Sequence, residues 1–228
     1  KELAELMKLD SNSIHVIPNG VDASRFYKLE SQTQALLAQM NLLDSAPILL
    51  LPVRITPRKN IELALGTLSE LKKEYPQAAL VVTGPLGPHN VDNIKYFDKL
   101  KNLRKELNLE SSAHFLAELV DTFLPDEVIA DFYRVADALI FPSREEGFGI
   151  PLIEAAYSHL PAFCADIPPL RELGLEDVTY FSADENPNIV AELIANYFRT
   201  SQTTKLSMRA RLNFRWEAIY RQHIVPIL

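Results

Sequence analysis

The chain is short of several things that would open whole classes of function. It has a single cysteine, Cys164. No internal disulfide or cysteine metal site can be built from it, and such usage suits a reducing, cytoplasmic compartment. Long apolar runs are missing too. Ile48–Leu51 with Pro52 and Val53, Ala138–Phe141 and Leu160–Cys164 are the longest, far from the roughly 20 residues that span a bilayer. The opening Lys1-Glu2-Leu3-Ala4-Glu5-Leu6 is an amphipathic helical pattern rather than a secretory signal. A transmembrane segment is therefore not expected.

Positive charge is outnumbered, with 23 Lys and Arg against 30 Asp and Glu and a net charge of -7. A nucleic-acid partner, which needs clustered cations, is excluded on that balance. A small basic cluster can still hold a phosphate-bearing small molecule. The five histidines (His15, His89, His114, His159 and His223) have no ligand-like spacing. No two aspartates lie two residues apart, which removes the commonest magnesium–diphosphate arrangement. Neither Gly-x-Gly-x-x-Gly nor Gly-x-x-x-x-Gly-Lys-Ser/Thr occurs. The loop Gly84-Pro85-Leu86-Gly87-Pro88 loses N–H donors to its prolines. A nicotinamide dinucleotide, a P-loop nucleotidase and a bound metal are all disfavoured, and no cofactor is expected.

What remains is a chain of 228 residues, 47% hydrophobic and 23% charged, enough for one large domain with a sizeable core. Ile14–Ile17 reads as a strand stopped by Pro18-Asn19-Gly20, and a helical stretch runs from Glu30 to Asn41. Six apolar strand candidates follow, at Ile48–Val53, Ala78–Thr83, Ala113–Leu116, Ala138–Phe141, Ala162–Cys164 and Val178–Phe181. Helical patterns separate or follow them. They begin near Ile61, Asn90, Pro125 and Pro151, then cover Asn188–Phe198 and a long final helix Lys205–His223. In the last, Leu212, Trp216, Ile219, Tyr220 and Ile224 share a helical spacing.

Strands apolar throughout and separated by helices predict an α/β fold, a single Rossmann-like doubly wound parallel sheet. Residues 1–22 fall outside the alternation. They read as the tail of a preceding domain plus a linker, and 23–228 as the Rossmann-like domain with its C-terminal helices. Ligands of such sheets sit at the strands' carboxyl ends, so chemistry is expected after Val53, Thr83, Leu116 and Phe141.

Two constellations lie there. In Glu145-Glu146-Gly147-Phe148-Gly149-Ile150-Pro151-Leu152-Ile153-Glu154, a strand runs into a helix with Pro151 in its first turn. Backbone N–H groups near Gly149 and Ile150 then point outward at the positive end of the helix dipole, an anion site. Two carboxylates beside an anion make sense as acceptors for hydroxyls on either side of a diphosphate. Glu154 lies about 6 Å along the helix from its start. The second constellation is Arg54-Ile55-Thr56-Pro57-Arg58-Lys59-Asn60. Thr56 or Asn60 can cap the following helix. Either way Lys59 opposes the helix dipole, a poor choice for stability but a good one for a diphosphate.

These residues resemble the retaining glycosyltransferases of the GT-B fold, the group that includes sucrose synthases, sucrose-phosphate synthases and bacterial mannosyltransferases. Glu146-Gly147-Phe148-Gly149 with Glu154 is similar to that family's signature, and Arg54 with Lys59 to its basic pair. Val16-Ile17-Pro18-Asn19-Gly20-Val21-Asp22 looks like its interdomain hinge, and Asp166-Ile167-Pro168-Pro169-Leu170-Arg171-Glu172 like the segment after its next strand. Val53 and Ala117 stand where the family often has glycine.

The resemblance implies one half of a GT-B fold, the half that binds a UDP-, GDP- or ADP-sugar. Glu146 would meet hydroxyls of the donor sugar and Glu154 the ribose diol. Arg54 and Lys59 would hold the diphosphate with backbone groups of Phe148, Gly149 and Ile150, and Leu119 would lie near the base. Transfer to an acceptor hydroxyl would proceed with retention and without metal, the acceptor being held by an N-terminal domain absent here. A fragment of this kind would be nearly inactive alone. A nucleotide-sugar epimerase of the same fold and a non-catalytic nucleotide-sugar-binding domain stay open beside it.

Overall fold

In the computed structural model, which describes residues 2–10, 14–86 and 91–228, six parallel strands make one sheet. They are β1 (Ile48–Leu51), β2 (Ala79–Val82), β3 (Ala113–Phe115), β4 (Ala138–Phe141), β5 (Ala162–Ala165) and β6 (Thr179–Phe181). The spatial order is β3-β2-β1-β4-β5-β6, that of a doubly wound Rossmann-like sheet. Leu50 pairs with Val81 on one side and Leu139 on the other. Every residue of β1, β2 and β4 is buried, which explains their unbroken apolar character, since a strand covered on both faces has no solvent side to mark.

The described helices are α1 (Glu2–Met7), α2 (Ala23–Tyr27), α3 (Ser31–Gln39), α4 (Ile61–Leu71), α5 (Val91–Glu106), α6 (Asp126–Val135), α7 (Ile150–Tyr157), α8 (Pro168–Gly174), α9 (Pro187–Thr200), α10 (Gln202–Asn213) and α11 (Trp216–Ile219). The buried side of α4, including Ala64, Leu65 and Leu68, joins Val190, Ile194 and Phe198 of α9 in the core. At roughly 1.5–3 kcal/mol for each buried Leu, Ile or Phe, such faces supply most of the stabilisation. Polar bonds tie the strands' amino ends. The buried Asp137 accepts the Ile48 N–H at 2.7 Å and pairs with Arg211 of α10. The equally buried Asp131 accepts Thr33 Oγ1 at 2.6 Å and the Glu30 N–H at 2.7 Å, fastening α3 to α6.

Three details differ from the sequence reading. Ile14–Ile17 lies in no strand. Val16 and Ile17 are exposed, so no apolar face rewards their pairing. The chain is tied further on, where Val21 donates its N–H to the Phe214 carbonyl at 2.7 Å and bridges Arg215. The final helix is also not continuous. Arg215 is extended (φ -80°, ψ 147°) between α10 and α11, and a wider turn covers Tyr220–Ile224. The break has a tertiary cause. The Arg215 guanidinium pairs with Asp44, and the Phe214 carbonyl is taken by Val21. Finally, α2 and α8 are short helices without an apolar periodicity to announce them, although Pro168 and Pro169 open α8.

Candidate functional site

The order of the sheet reverses between β1 and β4, which opens a crevice beyond their carboxyl ends. Both constellations drain into it. After β1 the chain makes a 3₁₀ turn at Pro57–Lys59, with Thr56 before it and Asn60 after it. Both expected starts are therefore used, one for the turn and one for α4. Asn60 takes a left-handed conformation (φ 54°, ψ 44°) and does not cap α4 with its side chain. Its amide instead donates to the Pro142 carbonyl at 3.0 Å and the Ala183 carbonyl at 2.8 Å. The backbone of Arg144 donates to the Arg58 carbonyl at 2.9 Å, and Arg58 Nη1 donates to the Glu145 carbonyl at 3.3 Å. The loops after β1 and β4 are thus laced together.

Inside this lacing Lys59 Nζ meets Glu146 Oε1 at 2.5 Å, with side chains only 9% and 8% exposed. The ammonium also lies 5.7 Å from the centre of the Phe141 ring. Burial makes the pair interdependent, because either charge alone would be left poorly solvated. Arg54 is exposed and has no ion-pair or hydrogen-bond partner among the described residues. Among the described residues neither its charge nor that of Arg58 meets a carboxylate, whereas Arg144 is paired with Asp184.

Gly149 precedes α7 with φ +105°, and a Cβ there would come within 2.6 Å of Leu170 Cδ2. Its backbone is therefore barred to other residues by angle and by space. Gly147 is different. Nothing lies within 4 Å of where its Cβ would be, so the fold leaves open space before it. Phe148 and Ile150 are exposed. Among the described residues, the N–H groups of Phe148, Gly149 and Ile150 have no protein acceptor. With Pro151 lacking an N–H in the first turn, these donors stand without a protein acceptor at the positive end of α7.

Glu154, one turn into α7, is exposed, and one of its oxygens is held by Tyr133 Oη of α6 at 2.6 Å. Burial, and then the adjacent Glu154 carboxylate, push the Tyr133 hydroxyl far above its ordinary range, so it stays a neutral donor. The sequence reading did not include Tyr133. Its contact depends on the angle between α6 and α7, and its one available signal was a tyrosine on the apolar side of a helix. Leu119 follows a 3₁₀ turn at Leu116–Glu118, half-buried against the core. Beside it, beyond β2 and β3, a cavity of about 290 Å³ is lined by Thr83, Leu86, Ala117, Val120, Asp121 and Phe123, among others. Leu119 does not line it. Residues 87–90, with the end of the Gly84–Pro88 loop and His89, lie outside the described residues.

A larger cavity, about 480 Å³, opens near the amino end of β1, but its arginines Arg215 and Arg221 are already spent on Asp44. Among the described residues there is no group of three or more His, Cys, Asp and Glu that could hold a metal ion. None of the described helices is long and apolar enough to cross a membrane.

Comparison with known proteins gives this geometry a family. The chain is 34% identical over 169 residues to a serotype-specific mannosyltransferase of Escherichia coli, covering 74% of this chain and 19% of that protein. It is 31% identical over 170 residues to a D-inositol 3-phosphate glycosyltransferase of Nocardia farcinica, covering 73% and 35%. The chain thus spans about a fifth to a third of these relatives. Among solved structures, sucrose-phosphate synthase from Thermosynechococcus elongatus superimposes with TM-score 0.61 at 25% identity, over 99% of this chain and 55% of the other. HepE from Anabaena, in complex with UDP and glucose, does so with TM-score 0.63 at 19% identity, over 98% and 59%. The profile of the family described as glycosyl transferases group 1 matches residues 32–213, and the chain belongs to that family.

Proposed function

We propose that the chain binds a nucleoside-diphosphate sugar across the carboxyl ends of β1 and β4. With an acceptor-binding domain outside residues 23–228, it would transfer the sugar to an acceptor hydroxyl, with retention at the anomeric carbon and without a bound metal. Residues 1–22 belong, on this reading, to the link between the two domains.

The observation that carries the reading is the Lys59–Glu146 pair, set at the switch point beside the unpaired N–H groups that open α7. A diphosphate lying over α7 meets those N–H groups, Arg54 and the Lys59 ammonium. Together they stabilise the negative charge that grows as the nucleoside diphosphate departs. Glu146 serves two purposes. In the empty site it neutralises the buried Lys59, and in the filled site its second oxygen accepts from donor-sugar hydroxyls. Glu154, steadied by Tyr133, accepts from the ribose diol. The base occupies the cavity beyond β2 and β3, next to Leu119.

Thermal unfolding with UDP, GDP and ADP and their glucose and mannose conjugates tests this. A ligand at 100 times its Kd adds about 2.7 kcal/mol to stability. Glu154→Ala should keep the fold and lose most of that gain, because Glu154 is exposed and no core packing goes with it. Absence of stabilisation by every nucleotide, or an unchanged response in Glu154→Ala, refutes the assignment.

A further inference from the structure

The cavity beyond β2 and β3 has one charged wall. Asp121 lines it and has no hydrogen-bond or ion-pair partner among the described residues. The nearby acid Glu118, by contrast, is held by both Arg104 nitrogens, at 2.6 and 2.9 Å. The rest of the lining is apolar or hydroxylic: Leu86, Ala117, Val120 and Leu124 with Thr83 and Thr122. Phe123, 71% exposed, stands at its edge. Such a cavity offers a flat ring an aromatic surface, apolar walls and, among the described residues, a single carboxylate.

A carboxylate only accepts hydrogen bonds, and its two oxygens lie side by side. It therefore selects a ring edge with two adjacent donors. Uracil presents one N–H between two carbonyl oxygens, which an anion repels. Adenine presents an amino group beside a ring-nitrogen acceptor. Guanine alone among these presents N1–H next to the 2-amino group, matching both oxygens at once. Thr122, on the same wall, has a hydroxyl that can donate to the guanine O6.

We propose that Asp121 makes this site selective for guanosine-diphosphate donors. The inference rests on the nucleotide-sugar reading above and deepens it. A bidentate pair of this kind discriminates by about 10- to 100-fold against a base that lacks it.

The test is a calorimetric titration of the chain with GDP, UDP, ADP and xanthosine diphosphate, repeated on Asp121→Asn. The expected wild-type result is GDP binding about 10- to 100-fold more tightly than UDP or ADP. In Asp121→Asn GDP should lose about 10- to 100-fold and the preference vanish, while UDP and ADP, whose donor–acceptor edges an amide can pair, bind no more weakly than to the wild type. Xanthosine diphosphate, whose 2-oxo group suits an amide donor, should gain affinity, which a merely misfolded variant cannot show. UDP or ADP binding as tightly as GDP in the wild type, or equal losses for all bases in the variant, overturns the guanine assignment and leaves nucleotide binding standing. No binding by any nucleotide overturns both.

Discussion

Replacing Lys59 with methionine keeps most of the side chain's bulk and removes its charge. What remains is Glu146, 8% exposed, without the ammonium that met it at 2.5 Å. Breaking a buried pair from one side costs about 3–5 kcal/mol when nothing else reaches the stranded charge. Here the crevice is open beside Gly147, so water can approach and the lower end applies, about 3 kcal/mol. The lost approach to the Phe141 ring contributes roughly 0.5–1 kcal/mol of that. In a domain of this size the change lowers Tm by roughly 5–10 °C. The informative partner is Lys59→Met/Glu146→Leu, which removes both charges. If the pair is interdependent, the double variant is more stable than Lys59→Met alone, with a coupling of about 1–3 kcal/mol. Urea unfolding followed by circular dichroism reads all four corners of the cycle, provided the slope m is constant. Destabilisation below about 0.5 kcal/mol in Lys59→Met, or strict additivity in the double variant, refutes the claim that each charge depends on the other.

Other perturbations test separate parts of the structure. Tyr133→Phe removes the donor that steadies Glu154 and should weaken nucleotide binding about fivefold, the worth of roughly one hydrogen bond. The change should shrink when a 2′,3′-dideoxyribose nucleotide is titrated, and an equal loss for that ligand contradicts the ribose role. Gly149→Ala places a Cβ within 2.6 Å of Leu170 at φ +105° and should cost about 1–3 kcal/mol in urea unfolding, with Gly147→Ala near neutral. Burial, then the Arg104 charge, push the His114 imidazole down to about 4. A histidine whose folded value lies below its unfolded value of about 6.5 contributes stability that is complete above that pH. It is lost as pH falls toward 4, by about 2–3 kcal/mol. His114→Asn should therefore flatten the urea midpoint between pH 7 and pH 4.5 relative to the wild type, and parallel pH profiles would disprove the assignment.

The strands were legible because a parallel sheet covered on both faces writes itself as runs such as Ile48–Leu51 and Ala138–Phe141. Loops after such runs were identifiable as the place for chemistry, which is why Arg54, Lys59, Glu146 and Glu154 could be named. Their mutual arrangement was not. Lys59 and Glu146 are 87 residues apart, and only the strand order brings β1 beside β4. Tyr133 reaches Glu154 through the packing of two helices, a contact without local signature. The break at Arg215 was hidden for the opposite reason. Helical spacing through Leu212, Trp216 and Ile219 is a real local preference, overridden by an ion pair to Asp44 and a backbone bond from Val21.

Gly84 sits hard against the end of β1, and a Cβ there would come within 2.0 Å of the Val53 carbonyl oxygen. Immediately beyond, Ile55 donates its N–H to the Pro85 carbonyl at 3.0 Å and bridges Leu86. Arg54 therefore hangs from the same rigid bar that carries Pro85 and Leu86, a wall of the cavity beyond β2 and β3. On the proposed reading, this backbone contact would hold the wall beside the base and the stem of Arg54 at a fixed separation.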